Sequence, residues 1–220
     1  MSYFQQNIAN IRDRIKATCE LAQRDPNAIT LLAVSKTRSV DDVSQAVAGG
    51  INCLGENYLQ EAIEKVFALQ HLAIEWHFIG PLQSNKTRPV AESFDWVHTV
   101  TSFKHANKLN DECKNVNKIM NICVQINIDK ERAKGGIALA DYDRLASDIK
   151  RLEYINLRGV MTIPQADKPC SNSFHKMYEL YMKYDYLDTL SMGMSSDFLT
   201  AIENGANMLR IGQGIFGKRI

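Results

Sequence analysis

The sequence predicts an α/β protein and, within that class, an eight-stranded (β/α)8 TIM barrel preceded by one extra N-terminal helix. Three observations lead to this prediction. Eight short apolar runs, rich in β-branched residues, alternate with longer amphipathic stretches along the chain. These runs are continuously apolar, as is typical of parallel strands that are covered on both faces. The 220 residues divide into eight units of about 28 residues each, which suits a compact barrel.

The predicted strands are Thr30–Ser35, Cys53–Gly55, Trp76–Gly80, Trp96–Val100, Ile119–Ile128, Leu157–Ile163, Thr189–Gly193 and Met208–Ile211. Alternation alone does not separate a closed barrel from a doubly wound open sheet, so the open sheet is the second candidate. No linker, low-complexity tract or shift in composition divides the chain. We therefore expect a single domain over residues 1–220.

The stretches between the predicted strands have helical periodicity. A helix before the first strand carries apolar residues at three- and four-residue intervals, and Asp25-Pro26 closes it. Ser39–Ala48 begins with a capping serine and ends at a pair of glycines. Further helices are predicted at Asn57–Leu69, Asp141–Leu152 and Ser173–Tyr184. The apolar positions of the first helix are Phe4, Ile8, Ile11, Ile15, Cys19 and Ala22.

Composition narrows the possible partners and compartments. The chain has 26 basic and 25 acidic residues, a net charge of +1, so its charge does not favour binding to nucleic acid or a membrane. The five cysteines are scattered and form no C-x-x-C pair, which indicates reduced thiols. The polar N-terminus lacks the apolar core of a signal peptide, and no apolar run approaches the ~20 residues that span a bilayer. We expect a soluble, cytoplasmic monomer.

Two familiar motifs do not carry chemistry here. Gly212–Gly217 matches G-x-G-x-x-G, but only three residues follow it, so we expect no helix and no acidic residue to complete a dinucleotide site. His71 and His77 lack the H-E-x-x-H spacing, and no cluster of cysteine and histidine has zinc-ligand spacing. We therefore expect no bound metal.

If the barrel is correct, function lies at the carboxyl ends of the strands. The first strand runs into Ser35-Lys36, which places a lysine at the mouth of the barrel. Partial desolvation there favours the neutral amine, the nucleophile that forms a Schiff base with a carbonyl group. The simpler interpretation is a lysine whose charged end reaches solvent at a strand end.

The ends of strands seven and eight are rich in small residues. Strand seven continues to Ser195, Ser196-Asp197 opens the next helix, and strand eight ends in Arg210–Gly214. Barrels often bind phosphate at these two loops, through backbone N–H groups and a helix N-terminus. Ordinary helix capping and turn-forming glycines explain the same residues equally well. With Lys36 opposite, an amine and a phosphate site together would suit pyridoxal 5'-phosphate (PLP), which carries an aldehyde and a phosphate on one ring.

Arg210 leaves two interpretations open. If its side chain points inward, it needs an acceptor, because an unpaired buried charge is costly. The pyridine nitrogen of PLP is one such acceptor. The alternative is a structural ion pair with an aspartate or glutamate.

Over essentially its whole length, the sequence resembles the pyridoxal phosphate homeostasis protein family. The motifs that carry the resemblance are Ala33-Val34-Ser35-Lys36-Thr37, Gly55-Glu56-Asn57-Tyr58, His77-Phe78-Ile79-Gly80, Leu82-Gln83-Ser84-Asn85-Lys86, Ser191-Met192-Gly193-Met194-Ser195-Ser196-Asp197 and Arg210-Ile211-Gly212. Together they are highly specific. The resemblance implies a fold-type III PLP-binding barrel like the N-terminal domain of alanine racemase.

The resemblance also implies roles for individual residues. Lys36 is expected to form the internal aldimine with PLP, and Arg210 to face the pyridine nitrogen. Ser195 and the backbone of Gly212-Gln213 are expected to hold the phosphate. Asn57 and His77, at the ends of strands two and three, are expected to line the ring pocket. Structural hydrogen bonding at the barrel rim explains these last two residues nearly as well.

One departure concerns the end of strand eight. Relatives usually carry Thr-Ala where this chain has Gln213-Gly214. A threonine hydroxyl bonds phosphate directly, whereas glutamine offers an amide donor on a longer side chain that loses more entropy. The backbone N–H groups are present in either case, so binding is still expected.

The family implies a carrier rather than an enzyme. Its members are regarded as carrying or buffering PLP, with effects on vitamin B6 and amino-acid homeostasis, and PLP-dependent apo-enzymes are possible recipients. An arginine at the pyridine nitrogen discourages protonation there and weakens the ring as an electron sink. Racemase relatives also use a tyrosine base from an additional C-terminal domain, and this chain ends at Ile220.

Two other functions stay open at the level of sequence. A small PLP enzyme, racemase-like or a lyase, would need an acid–base residue such as His77 or Tyr58. A phosphosugar-type barrel enzyme without PLP would need a catalytic carboxylate or histidine at other strand ends, where Glu56 is the only obvious candidate.

Overall fold

The computed structural model describes residues 2–131, 134–165 and 169–218. In these ranges the chain forms eight parallel strands that close into one barrel in the order β1 to β8. The closing contact pairs β1 with β8, with Leu32 opposite Arg210 and Ala33 opposite Ile211. Closure confirms the barrel and excludes the doubly wound open sheet.

The strands are β1 (Thr30–Val34), β2 (Cys53–Glu56), β3 (Glu75–Phe78), β4 (Trp96–Val100), β5 (Met120–Ile126), β6 (Ile155–Thr162), β7 (Thr189–Ser191) and β8 (Met208–Ile211). The predicted bounds of β4 and β8 are confirmed. The others differ by one or two residues at one or both ends. Strand β3 ends at Phe78, and Gly80 beyond it lies so close to the backbone of Asn57 that a Cβ on the glycine would be 2.1 Å from the Asn57 carbonyl oxygen.

The helices in the described ranges are α1 (Tyr3–Leu21), α2 (Val40–Ala48), α3 (Leu59–Ala68), α4 (Thr87–Ser93), α5 (Phe103–Asn115), α6 (Tyr142–Ile149), α7 (Ser171–Met182), α8 (Phe198–Glu203) and α9 (Gln213–Phe216). All five predicted helices are present, and Ser39 caps α2 through a capping box as expected. None of these helices is long and apolar enough to cross a membrane.

Three helices, α4, α5 and α9, were absent from the sequence prediction, whereas α8 follows Ser196-Asp197, where a helix was expected to begin. Helix α5 is mostly polar and buries only Ala106, Leu109 and Cys113, too narrow a stripe to detect against a polar background. Helix α4 has seven residues. The Gly212–Gly217 motif was expected to have no helix, but Gln213–Phe216 within it form the single turn of α9, with Gly212 as the N-cap.

The apolar residues between the sheet and the helices form one layer, whereas the inside of the barrel contains both apolar and polar side chains. The main core lies between the sheet and the surrounding helices, and α1 adds Ile8, Ile11 and Ile15 to it by packing against α2, α8 and α9. Two small clusters of buried apolar residues are separate from this core: Leu32, Cys53 and Met208 form one, and Trp96, Cys123 and Met161 form the other. Buried polar side chains lie beside them, and these lead to the candidate site.

Candidate functional site

A cavity of about 340 Å³ opens at the carboxyl ends of the strands. It is lined by Val34, Lys36, Asn57, Ile79, Met161, Ile163, Met194, Ser195, Ser196, Arg210, Gly212 and Gln213. A second cavity of about 350 Å³ shares Lys36, Gly212 and Gln213 with it and adds Arg38 and Lys218, so its opening is basic. Six of the seven residues singled out from the sequence therefore surround one space, and only His77 is missing.

A larger cavity of about 510 Å³ lies at the other end of the barrel, near the start of β1 and β2. Barrel proteins place their chemistry at the carboxyl ends of the strands, where the βα loops meet. The cavity that Lys36 lines is therefore the candidate functional site.

A tight turn directly after β1 carries Lys36. The backbone N–H of Arg38 donates to the carbonyl oxygen of Ser35, and Thr37 has a φ of 63°. This left-handed conformation is unusual for a β-branched residue and persists only where its surroundings hold it. The backbone N–H of Thr37 donates to Glu61 Oε1 at 2.6 Å. One neighbour of Lys36 is therefore tied to helix α3.

A buried ion cluster holds the other neighbour. Lys65 on α3 donates to the carbonyl oxygen of Ser35 at 2.7 Å and to Glu56 Oε1 at 2.7 Å, and it also pairs with Glu61. The Ser35 hydroxyl donates to the same Glu56 oxygen at 2.6 Å. The Lys65 and Glu56 side chains are 3% and 0% exposed, so water does not compete for these bonds. This cluster beside the Lys36 turn was not predicted from the sequence.

Burial raises the pKa of Glu56, and the hydrogen bonds from Lys65 and Ser35 act against this shift. Its second oxygen, Oε2, is buried without a hydrogen-bond partner. Glu56 is not among the residues that line the cavity. The carboxylate proposed for a phosphosugar-type enzyme therefore supports the lysine turn and does not face the cavity.

The side chain of Arg210 points inward and is 4% exposed. Nη1 donates to Ser191 Oγ at 2.7 Å, and Nη2 donates to the carbonyl oxygen of Thr162 at 2.8 Å. Burial lowers the pKa of Arg210 to about 10. No carboxylate in the described ranges pairs with it directly, so the structural ion pair considered from the sequence is not observed.

The loops after β7 and β8 are joined at Ser195. The backbone N–H of Gly214, in α9, donates to Ser195 Oγ at 3.1 Å. Gly193 allows the chain to reach this point, because its φ is +94° and a Cβ there would lie 2.6 Å from the Cβ of Ala201. The backbone N–H of Met194 donates to Asp197 Oδ1 at 2.6 Å. The expected phosphate residues Ser195, Gly212 and Gln213 thus border one corner of the cavity.

Asn57 follows β2 and lines the cavity. Its side-chain oxygen, Oδ1, is buried and has no hydrogen-bond partner. An unsatisfied buried acceptor costs about 1–3 kcal/mol. A ligand with a donor group at this point would remove that cost.

His77 does not line the cavity, in contrast to the expectation from the sequence. It lies inside β3 and is fully buried, while Ile79, two residues further on, forms part of the wall. Residues two apart on a strand share a face, and barrel interiors fill in layers. His77 therefore occupies the layer below the cavity, where its ring stacks on Trp96 at a centroid distance of 5.4 Å.

One group of side chains in the described ranges has the composition of a metal site. Cys53, Glu75 and His77 bring their ligand atoms within 4.8 Å of one another at the amino-terminal end of β2 and β3. Their spacing in the sequence does not reveal this grouping, because they come from two neighbouring strands. His77 Nε2 and Glu75 Oε1 are already hydrogen-bonded at 2.9 Å, so the pair is satisfied by itself.

Comparison with known proteins shows the family to which the chain belongs. The chain matches the alanine racemase N-terminal domain family over residues 6–219. It is 42% identical to the pyridoxal phosphate homeostasis protein of Escherichia coli K12 over 229 residues, covering 100% of this chain and 98% of that protein. The protein of the same name from Pseudomonas aeruginosa PAO1 is 44% identical over 223 residues, covering 100% and 97%.

Solved structures give the same result. PipY of Synechococcus elongatus with PLP bound is 32% identical, with a TM-score of 0.80, and the match covers 93% of this chain and 100% of that one. Alanine racemase from Streptomyces coelicolor is 19% identical, with a TM-score of 0.73, which shows similarity of fold. That match covers 96% of this chain and 58% of the racemase.

Proposed function

Because the chain belongs to the pyridoxal phosphate homeostasis family, with the fold of the alanine racemase N-terminal domain, we propose that it binds PLP and carries or buffers it. In this role it contributes to vitamin B6 and amino-acid homeostasis inside the cell. The observation that carries the proposal is the cavity in which Lys36, Arg210 and Ser195 face one another at the carboxyl ends of the strands.

The residues present fit PLP in size and in polarity. The volume of about 340 Å³ lies in the range of small-ligand sites. Ile79, Met161 and Ile163 supply apolar walls for a ring. The unsatisfied oxygen of Asn57 offers an acceptor to a polar substituent of that ring.

Lys36 is proposed to hold the cofactor covalently. PLP supplies an aldehyde that condenses with a primary amine to give a Schiff base and water. The turn pinned by Thr37 and the Glu56–Lys65 cluster presents the Lys36 side chain to the cavity, and Val34 beside it is apolar. A fixed backbone lowers the entropy that the chain loses when the lysine engages a ligand.

The phosphate is proposed to lie against Ser195 and the backbone of Gly212-Gln213. Ser195 already accepts a bond from the Gly214 N–H, so its own hydroxyl proton is positioned to donate to an anion. The basic side chains of Arg38 and Lys218 border the adjoining cavity and favour a negatively charged ligand there. Gln213 lines both cavities, which places the side chain that differs from relatives beside the proposed phosphate.

A carrier suits the site better than an enzyme does. The acid–base candidates of an enzyme do not line the cavity: His77 is buried below it, Tyr58 is exposed outside it, and Glu56 supports the lysine turn. Arg210 at the pyridine nitrogen would also discourage protonation there, which limits carbanion chemistry. A racemase-like or lyase activity is the second candidate function, and it would require a base outside this set.

The wider role follows from the same proposal. We propose a single domain over residues 1–220 that acts as a monomer in the cytoplasm, takes no metal, and delivers PLP to PLP-dependent apo-enzymes. Transfer is tested by mixing PLP-loaded protein with an apo-enzyme and following the recovery of that enzyme's activity. Recovery that is faster than the recovery in a control with free PLP at the same concentration supports direct delivery. Recovery limited to the rate of free PLP release contradicts direct transfer.

Binding itself is tested by titrating the protein with PLP and with unphosphorylated pyridoxal and following the absorption of the bound chromophore. The proposal expects saturable binding of PLP and much weaker binding of pyridoxal, because the phosphate contacts are absent. Equal binding of both compounds contradicts the proposed phosphate site.

A further inference from the structure

A line of buried polar side chains crosses the barrel below the cavity. It runs from Arg210 Nη1 to Ser191 Oγ (2.7 Å), from Ser191 Oγ to His98 Nδ1 (3.0 Å), from His98 Nε2 to His77 Nδ1 (2.9 Å) and from His77 Nε2 to Glu75 Oε1 (2.9 Å). His98 is on β4 and Ser191 is on β7, strands that are not neighbours in the sheet. The contact between them therefore passes through the barrel interior.

The residues at the two ends of this line, Arg210 and Glu75, determine which atom donates in each hydrogen bond. A guanidinium group can only donate hydrogen bonds, and an ionised carboxylate can only accept them. Both histidines are fully buried, and desolvation is the main cause that lowers the pKa of each, which favours the neutral form of both rings. A bond from His77 lowers the pKa of Glu75, which keeps this half-exposed carboxylate ionised. A neutral imidazole has one donor and one acceptor nitrogen.

Only one arrangement of protons then satisfies all four bonds. His77 must donate from Nε2 to Glu75, so its Nδ1 accepts. His98 must donate from Nε2 to that nitrogen, so its own Nδ1 accepts from the Ser191 hydroxyl. Ser191 Oγ in turn accepts from Arg210. Every donor points from the cation towards the carboxylate, and such chains of hydrogen bonds polarise one another.

We propose that Ser191, His98, His77 and Glu75 are positioning residues for Arg210, forming a one-way hydrogen-bond chain that links the guanidinium in the cavity wall to a carboxylate at the opposite end of the barrel. The chain orients Arg210 and compensates its buried charge without a direct ion pair. The Thr162 carbonyl oxygen fixes the other terminal nitrogen. The significance of Arg210 for PLP rests on the proposed function, whereas the proton arrangement does not.

The proton arrangement is measured in the apo-protein by ¹⁵N-histidine NMR at neutral pH. His77→Gln and His98→Gln assign the two signals, and the exposed His71 and His175 supply reference signals of surface imidazoles. Both buried rings are expected to be neutral, with the proton on Nε2. A proton on Nδ1 of either ring, or a doubly protonated ring, would overturn the proposal.

The positioning role is measured with Ser191→Ala, which removes the acceptor of Arg210 and the donor to His98. PLP affinity should fall by about 10-fold or more, because hydrogen bonds to a charged group are involved, and the absorption spectrum of bound PLP should shift. Thr18→Val is the matched control, since this buried hydroxyl bonds the Arg14 carbonyl oxygen on α1, and it should change neither quantity. A Ser191→Ala protein with the parent's affinity and spectrum overturns the positioning role.

The two hypotheses fail in different ways. If the parent protein binds no PLP, the proposed function fails, and the NMR result on the apo-protein still decides the proton arrangement. If the parent binds PLP and either histidine carries its proton on Nδ1, the chain fails alone.

Discussion

Replacing Lys65 by methionine should destabilise the fold and loosen the turn that carries Lys36. Methionine approximates the length of the lysine side chain, so the change mainly removes a buried charge. The lysine bonds the Ser35 carbonyl oxygen and Glu56 at 2.7 Å each and also pairs with Glu61. Removing one partner of a buried ion pair costs about 3–5 kcal/mol, because the other charge is left uncompensated. Domains are stable by only about 5–15 kcal/mol, so the loss is large enough to measure accurately.

The assay is urea unfolding of the apo-protein followed by circular dichroism, with the free energy of unfolding as the result. Lys16→Met is the matched control, because Lys16 and Glu20 are 4.0 Å apart and 68% and 64% exposed. Such a surface pair contributes at most about 1 kcal/mol. The double variant Lys65→Met/Glu56→Gln should recover part of the loss, since it also removes the unpaired carboxylate.

The pH dependence of this deficit has a definite sign. Burial raises the pKa of Glu56 above its unfolded value, and Lys65 acts against that rise. A raised folded-state pKa stabilises the fold at low pH, and this contribution is lost as the pH rises through the folded-state pKa. Without Lys65 the pKa rises further. The deficit of Lys65→Met relative to the parent should therefore shrink as the pH falls from neutral towards 4.5, the ordinary glutamate value.

Two results would refute this reasoning. A loss in Lys65→Met no larger than that in Lys16→Met would show that the buried cluster does not stabilise the fold. A deficit that grows as the pH falls would show that Glu56 does not become the uncompensated charge.

The remaining predictions concern the cofactor and the loops. Lys36→Ala should lose the covalent link, retain calorimetrically measurable affinity for PLP and show none for pyridoxal, whereas the exposed control Lys86→Ala should match the parent. Ser195→Ala should keep the covalent link but bind PLP about 10- to 150-fold more weakly in the same titration, and an unchanged affinity would place the phosphate elsewhere. Gly193→Ala should lower the free energy of unfolding by about 2–4 kcal/mol through positive φ and overlap with α8, whereas Gly135→Ala should change it little because a Cβ there meets nothing nearer than 3.6 Å. The PLP-loaded protein incubated with L- and D-amino acids should show no sustained racemisation or keto-acid release, and turnover of ~1 s⁻¹ or more would favour the enzyme alternative.

The fold was predictable because local pattern and burial agree in this chain. The runs Trp96–Val100 and Met208–Ile211, apolar apart from His98, Thr99 and Arg210, became β4 and β8 with unchanged bounds. Strand ends such as that of β3 were less predictable, because the apolar run continues through Ile79 although the strand ends at Phe78. Closure of the sheet also depends on pairing between the first and last strands, which periodicity does not encode.

The candidate site was predictable where residues lie at the carboxyl ends of the barrel strands. It was less predictable where a residue's position along the barrel axis decides whether it reaches the cavity. Lys36 and Ser195 lie at strand ends and line the cavity. His77 lies inside β3, whereas Ile79, which follows the strand and is nearer its carboxyl end, lines the cavity. The sequence pattern predicts only that Lys65 lies on an amphipathic helix. Its burial against Glu56 becomes visible only when α3 packs on the barrel.

Covalent binding of PLP to Lys36 is measured by borohydride reduction of the PLP-loaded protein, followed by digestion and peptide mass mapping. Reduction converts the Schiff base into a stable secondary amine on the lysine that formed it. We expect a pyridoxyl-phosphate adduct on the peptide that contains Lys36, and its loss in Lys36→Ala. An adduct found only on another lysine, or no adduct in a protein saturated with PLP, would show that Lys36 does not bind the cofactor covalently.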